Sequence, residues 1–155
     1  MLPPIICNTG PLIALSLVGL EGVLSQLYEP KIPKAVLEEW RDGDPRRMLP
    51  TSIKVVETPV LDPLLAVQLD AGEASVIQTA LNQNIRTVLI DERKGRKIAR
   101  RVYSLTTIGT ARVLVEAKKS GLIERVAPLF EILRKESYWI AEPIVNWALA
   151  ESEEI

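Results

Sequence analysis

The sequence predicts an α/β protein: one domain with a mostly parallel central sheet and helices on both of its faces. Two observations carry that expectation. Short apolar runs, Pro4 to Cys7 and Thr87 to Ile90 above all, are too brief for helices and lack the alternation of a strand with one face in water. Longer stretches between them place apolar residues three and four positions apart, so strands and helices alternate along the chain. In a single sheet this order requires right-handed crossovers and parallel pairing. A length of 155 residues fits one domain over 1–155, with 136–155 as a helical appendage.

Each element follows from local signals. Pro4 to Cys7 reads as a buried strand, and Asn8-Thr9-Gly10-Pro11 supplies capping residues and a first-turn proline for the helix that continues through Leu12 to Leu15. A second helix is expected over Leu20 to Tyr28, a brief extended segment at Pro30 to Pro33, and a helix from Lys34 to Arg41 that Asp42-Gly43-Asp44-Pro45 ends. Ile53 to Val56 reads as an edge strand, Asp62 to Gln68 as a helical turn or two, and Ala71 to Gln83 as a firm helix with Val76, Ile77, Ala80 and Leu81 at helical spacing. Thr87 to Ile90 is expected to be the central strand. The helix after it, Glu92 to Val102, sets Gly95, Ile98, Ala99 and Val102 on one side and Arg93, Arg96, Lys97 and Arg100 on the other. A strand near Ser104 to Thr106, a helix from Gly109-Thr110 to Lys119 stopped by Ser120-Gly121, and helices over Glu124 to Lys135 and Ala141 to Glu151 complete the chain.

Composition excludes whole classes of chemistry. The chain has no histidine, which removes Ser-His-Asp and Cys-His nucleophiles, imidazole bases and histidine metal sites together. Neither Gly-x-Gly-x-x-Gly nor a Walker A sequence occurs. Any catalysis must rest on carboxylates. The net charge of −1 gives no global attraction to nucleic acid, so such binding needs a local patch. A single cysteine, Cys7, suits a reducing compartment; the start lacks a basic leader and no apolar stretch approaches the roughly 20 residues of a membrane span. A cytoplasmic protein with no membrane association is expected.

Four residues are candidates for the chemistry: Asn8, Glu39, Glu73 and Asp91. Asn8 closes the first strand and Asp91 the strand Thr87 to Ile90, where α/β proteins gather their functional groups. Glu73 opens the helix that runs back before that strand, so its end meets the same edge of the sheet. It also precedes Val76 and Ile77 by three and four positions, which turns it toward the apolar face. Each residue has a plainer reading. Asp70 and Glu73 fit a capping box, Asp91 and Asn8 are good caps for the helices after them, and Glu38-Glu39 has the form of a solvated pair. Capping does not require several acids to meet on one edge, and carboxylates that do meet repel unless a cation compensates. Oxygen ligands alone suit Mg²⁺ or Mn²⁺, and such an ion permits phosphodiester hydrolysis without histidine.

Positive charge stands directly beside these acids. Arg93, Lys94, Arg96, Lys97, Arg100 and Arg101 follow Asp91 closely, a local patch suited to a phosphate backbone, or else a solvated helix face. Arg46, Arg47, Lys118 and Lys119 would extend it. Thr110, beside Gly109 at a helix start, is a candidate contact to a phosphate oxygen or water, or a simple cap. In the last helix, Ile140, Ile144, Val145 and Leu149, with Trp139 and Trp147 nearby, form an apolar stripe for the core, a partner protein or a second subunit.

These segments together resemble the PIN-domain family, metal-dependent ribonucleases that include VapC-type toxins, and in particular a prokaryotic subgroup catalogued as a domain of unknown function. The resemblance is carried by Asn8-Thr-Gly-Pro-Leu-Ile-Ala-Leu15, Ile32-Pro-Lys-Ala-Val-Leu-Glu-Glu39, Ala71-Gly-Glu-Ala74, and Leu89-Ile-Asp-Glu-Arg-Lys-Gly-Arg96 followed by Ile108-Gly-Thr110. It implies a sheet of about five parallel strands, Mg²⁺ or Mn²⁺ at the site, hydrolysis of single-stranded RNA, a homo-oligomer such as a dimer, and pairing with a small antitoxin. The family's four acidic positions fall on Asn8, Glu39, Glu73 and Asp91, with Glu39, Glu73 and Asp91 as metal ligands. An amide at Asn8 brings no charge, which weakens metal binding or leaves a PIN fold that binds RNA or protein without turnover.

Overall fold

In the computed structural model, which describes residues 1–155, the short apolar runs form one five-stranded sheet in the order β3-β2-β1-β4-β5, and every neighbouring pair is parallel. The strands are β1 (Pro4–Cys7), β2 (Glu29–Pro33), β3 (Lys54–Val56), β4 (Thr87–Leu89) and β5 (Thr106–Ile108). Ile5, Ile6, Cys7, Val88 and Leu89 are completely buried, as strands covered on both faces require. The half-exposed β3 forms one edge, with Lys54 turned to water. The central strand is β1, not the run Thr87 to Ile90; β4 lies beside it. Both runs are equally apolar, and hydropathy measures burial rather than rank within a sheet.

Nine helices cover the sheet: α1 (Thr9–Leu17), α2 (Val23–Leu27), α3 (Lys34–Gly43), α4 (Pro63–Gln68), α5 (Ala71–Asn82), α6 (Arg93–Arg101), α7 (Thr110–Lys119), α8 (Ala127–Lys135) and α9 (Glu142–Glu151). Helix α5 lies against β1, β2 and β4 and is flanked by α3, α4 and α6; α7 gathers α1, α2 and α9. No helix is long and apolar enough to cross a membrane.

Most departures from expectation lie at element ends. α2 is shorter than Leu20 to Tyr28, because Gly19 adopts a left-handed conformation (φ 72°) after α1 and the chain turns before Val23. β5 starts two residues later than Ser104, which itself has φ 57° in the turn leaving α6, where Leu105 N–H bonds to the Ala99 carbonyl. Helical spacing assigns Val102 to the apolar side of α6; it is instead 56% exposed, and Gly95 and Ala99 are the positions that pack.

The C-terminal segment is tied into the domain. Glu154 accepts from the backbone N–H groups of Val126 (2.8 Å) and Ala127 (3.0 Å) and pairs with Lys118 (2.9 Å). It thereby caps α8, whose own N-cap residue offers no side-chain acceptor. Burial opposes its charge, but these partners prevail and hold the carboxyl down at about 2.

Candidate metal centre

Chain direction determines where a site can form. From β1 the sheet grows through β2 to β3 on one side and through β4 to β5 on the other, so the crevice outside the C-terminal ends of β1 and β4 is a topological switch point. Asn8 and Asp91 are the polar residues that follow those two ends. Asn8 is 9% exposed, its backbone N–H bonds to the Leu89 carbonyl (2.9 Å), and its side chain does not cap α1. Its Oδ1 is buried without any hydrogen-bond partner, an arrangement that costs free energy unless a ligand completes it.

Three acids from two elements meet beside this crevice. Oxygens of Asp70, Glu73 and Glu92 lie within 4.8 Å of one another. Asp70 caps α5 by accepting from the Glu73 N–H (2.9 Å), and that same turn directs Glu73 inward, where it is 4% exposed. Gly95, one turn into α6, makes room for it, since a methyl there would stand 3.3 Å from Glu73 Oε2. Burial first, then a hydrogen bond with Glu92 and the charges of Asp70, Glu92 and Glu39, push the Glu73 carboxyl up to about 8.

Glu39 joins from α3. Much of the residue is exposed, yet its carboxylate accepts from the Thr9 hydroxyl (3.3 Å) and lies over Gly72. A methyl at position 72 would stand 1.9 Å from Glu39 Oε1, so only glycine in the first turn of α5 permits this approach. Burial and the charge of Asp70 raise the Glu39 carboxyl, against the Thr9 hydrogen bond.

Asp91 is arranged differently. It lies outside the Asp70–Glu73–Glu92 triad and accepts from the Thr110 N–H (2.7 Å), the Thr110 hydroxyl (2.6 Å) and the Tyr138 hydroxyl. Thr110 is wholly buried with its hydroxyl engaged on Asp91, and the N-cap of α7 is Gly109. Glu92, not Asp91, is the N-cap residue of α6; its extended backbone carries its side chain to Glu73. Sequence reasoning missed Glu92 and Tyr138 and read Asp70 only as a cap. The Asp91-Glu92 doublet was the available signal for Glu92; nothing local pointed to Tyr138.

On α6, Arg93, Lys94, Lys97, Arg100 and Arg101 are exposed and take part in none of the protein's ion pairs. Arg96 is half-buried: burial lowers it and the charge of Asp91 opposes that, so it belongs to the crevice rather than the solvent face. The four basic residues expected to extend the patch are occupied, Arg46 by Asp44, Arg47 over the Trp40 ring, Lys118 by Glu154 and Lys119 by Glu151.

The donor set fits a hard divalent cation. It consists of oxygens only and includes an acid whose carboxyl burial, and then the neighbouring acids, push up to about 8. A parallel α/β sheet with acids gathered beside its switch point is an architecture that can carry metal-dependent chemistry. The PIN-domain family model, of a subgroup named as a domain of unknown function, matches residues 4–154, and the chain belongs to the PIN-domain family. PIN domains are a nuclease fold that works with divalent metal ions. No curated protein matches the chain.

Proposed function

We propose that this chain is a metal-dependent endoribonuclease that hydrolyses phosphodiester bonds in single-stranded RNA. The observation that carries the reading is the meeting of acids around Glu73 from segments far apart in sequence; burial first, and then those acids, push its carboxyl up to about 8. Mg²⁺ or Mn²⁺ would be held by Glu39, Glu73 and Asp91, with Asp70 and Glu92 adding negative charge around it. When bound, such an ion polarises a phosphoryl oxygen and lowers the pKa of water. Glu73 gives up its proton on binding, Asp91 keeps a fixed orientation through Thr110 and Tyr138, and Asn8 Oδ1 accepts a hydrogen bond from a ligand or water. Arg93, Lys94, Lys97 and Arg100 hold the phosphate backbone, with Arg96 nearer the scissile position.

RNA cleavage with Mn²⁺ or Mg²⁺ is expected to fall at least 100-fold in Asp91→Asn, on the order of the effect of removing a key catalytic charge, and to stop in EDTA. Equal rates in wild type and variant would reject the mechanism. A second reading is favoured by one observation, the amide at Asn8: a PIN fold that binds RNA or a protein without turnover. It predicts no bound metal even at millimolar Mn²⁺.

The toxin role follows from the same reading. Induced expression in bacterial cells would arrest growth with the wild type and not with Asp91→Asn, and a small antitoxin would relieve it. A dimer is the expected assembly, and Trp139, 81% exposed, and Trp147, 38% exposed, offer apolar surface for a partner.

A further inference from the structure

The grip on Asp91 uses two segments remote from it in sequence. An ionised carboxylate offers about four lone-pair positions, two on each oxygen. Oδ2 accepts from both the Thr110 and the Tyr138 hydroxyls, while Oδ1 accepts only from the Thr110 N–H. One position, on Oδ1, therefore remains open. Tyr138 arrives from the turn between α8 and α9, where Ser137 adopts a left-handed conformation (φ 62°). Gly10, in the first turn of α1, makes space for the phenol: a methyl there would stand 3.0 Å from the Tyr138 hydroxyl oxygen. Burial and the adjacent Asp91 charge push the phenol well above its ordinary value, so it remains a donor.

We propose that Tyr138 is a positioning residue of the metal centre: with Thr110 it fills Oδ2 of Asp91 and so presents Oδ1 as the one carboxylate oxygen open to a hard cation. The inference rests on the metal-centre reading given above. Its consequence is that the C-terminal segment, 47 residues beyond Asp91, sets the geometry of a ligand at the end of β4. Groups behind metal ligands commonly change affinity about 10- to 100-fold when removed.

The test is Mn²⁺ binding, followed by electron paramagnetic resonance without RNA, in wild type, Tyr138→Phe, Asp91→Asn and the double variant. Phenylalanine keeps the ring and removes only the hydroxyl, and Trp139→Ala is a neighbouring control that should bind as wild type. The expected result is a loss of about 10-fold or more in Tyr138→Phe, with the double variant no weaker than Asp91→Asn alone. Independent structural damage would instead add in the double variant. Additive losses, an unchanged affinity in Tyr138→Phe, or tighter binding there, as expected of a phenol that merely competes with the ion, would overturn the proposal while leaving the metal centre standing. A wild type that binds no Mn²⁺ would overturn both.

Discussion

Glu73 is a buried acid whose nearest ionisable neighbours are other acids, and its protonation should therefore be visible in stability. Its carboxyl is raised from 4.5 to about 8, so between those values the folded chain holds a proton that the unfolded chain has released. The corresponding stability is complete below pH 4.5 and is lost as pH rises through about 8. We expect the melting temperature of cation-free protein to fall from about pH 6 to about pH 9, and Glu73→Gln to flatten that slope. A slope unchanged by the substitution would place the titration elsewhere. Asn8, Asp91 and Glu73 were legible as single residues because strand ends and helix starts are marked in sequence by apolar runs that stop. Glu92 was not, since which member of the Asp91-Glu92 pair faces α5 depends on the backbone angles at the start of α6. Asp70 was hidden by its second duty as a cap, and Tyr138 by its distance along the chain.

Among the elements, α6 has the clearest division of labour. Gly95 and Ala99 pack inward, Arg96 lies at the crevice, and Lys94 and Lys97 face solvent without partners. When such cations neutralise a single-stranded phosphate backbone, counterions are released. Replacing both lysines with alanine should weaken RNA binding and reduce the slope of log K against log salt by about 0.7 for each phosphate left without its lysine. Salt titrations in the Asp91→Asn background, where RNA stays intact, would measure it; an unchanged slope would leave α6 as a solvated face. The type and order of these elements were readable because a 3.6-residue or an unbroken apolar pattern survives in the sequence. Their ends were less so: the left-handed residues Gly19 and Ser104 set the limits of α2 and β5, and a serine in that conformation carries no sequence signal.

At the scale of the whole molecule, one sheet brings remote acids together and one tail holds the helices behind it. Strand rank was the part of the topology that hydropathy did not encode, because β1 and β4 are both short buried runs paired on two sides, and only the full strand order makes β1 the centre. The tail depends on Glu154, held down at about 2 by N–H groups and Lys118, so its contribution is present above pH 4.5 and is lost as pH falls through about 2. Glu154→Gln should cost about 1 to 2 kcal/mol in urea unfolding at neutral pH, the magnitude of a lost helix cap. No change in midpoint would mean that the tail is dispensable. The central claim, that acids dispersed along the chain fold into one cation site, is tested most directly by titrating Mn²⁺ into wild type and Glu73→Gln at about pH 8. The account predicts saturable binding below millimolar Mn²⁺ in the wild type and its loss in the variant; no binding to the wild type, or equal binding to both, would contradict it.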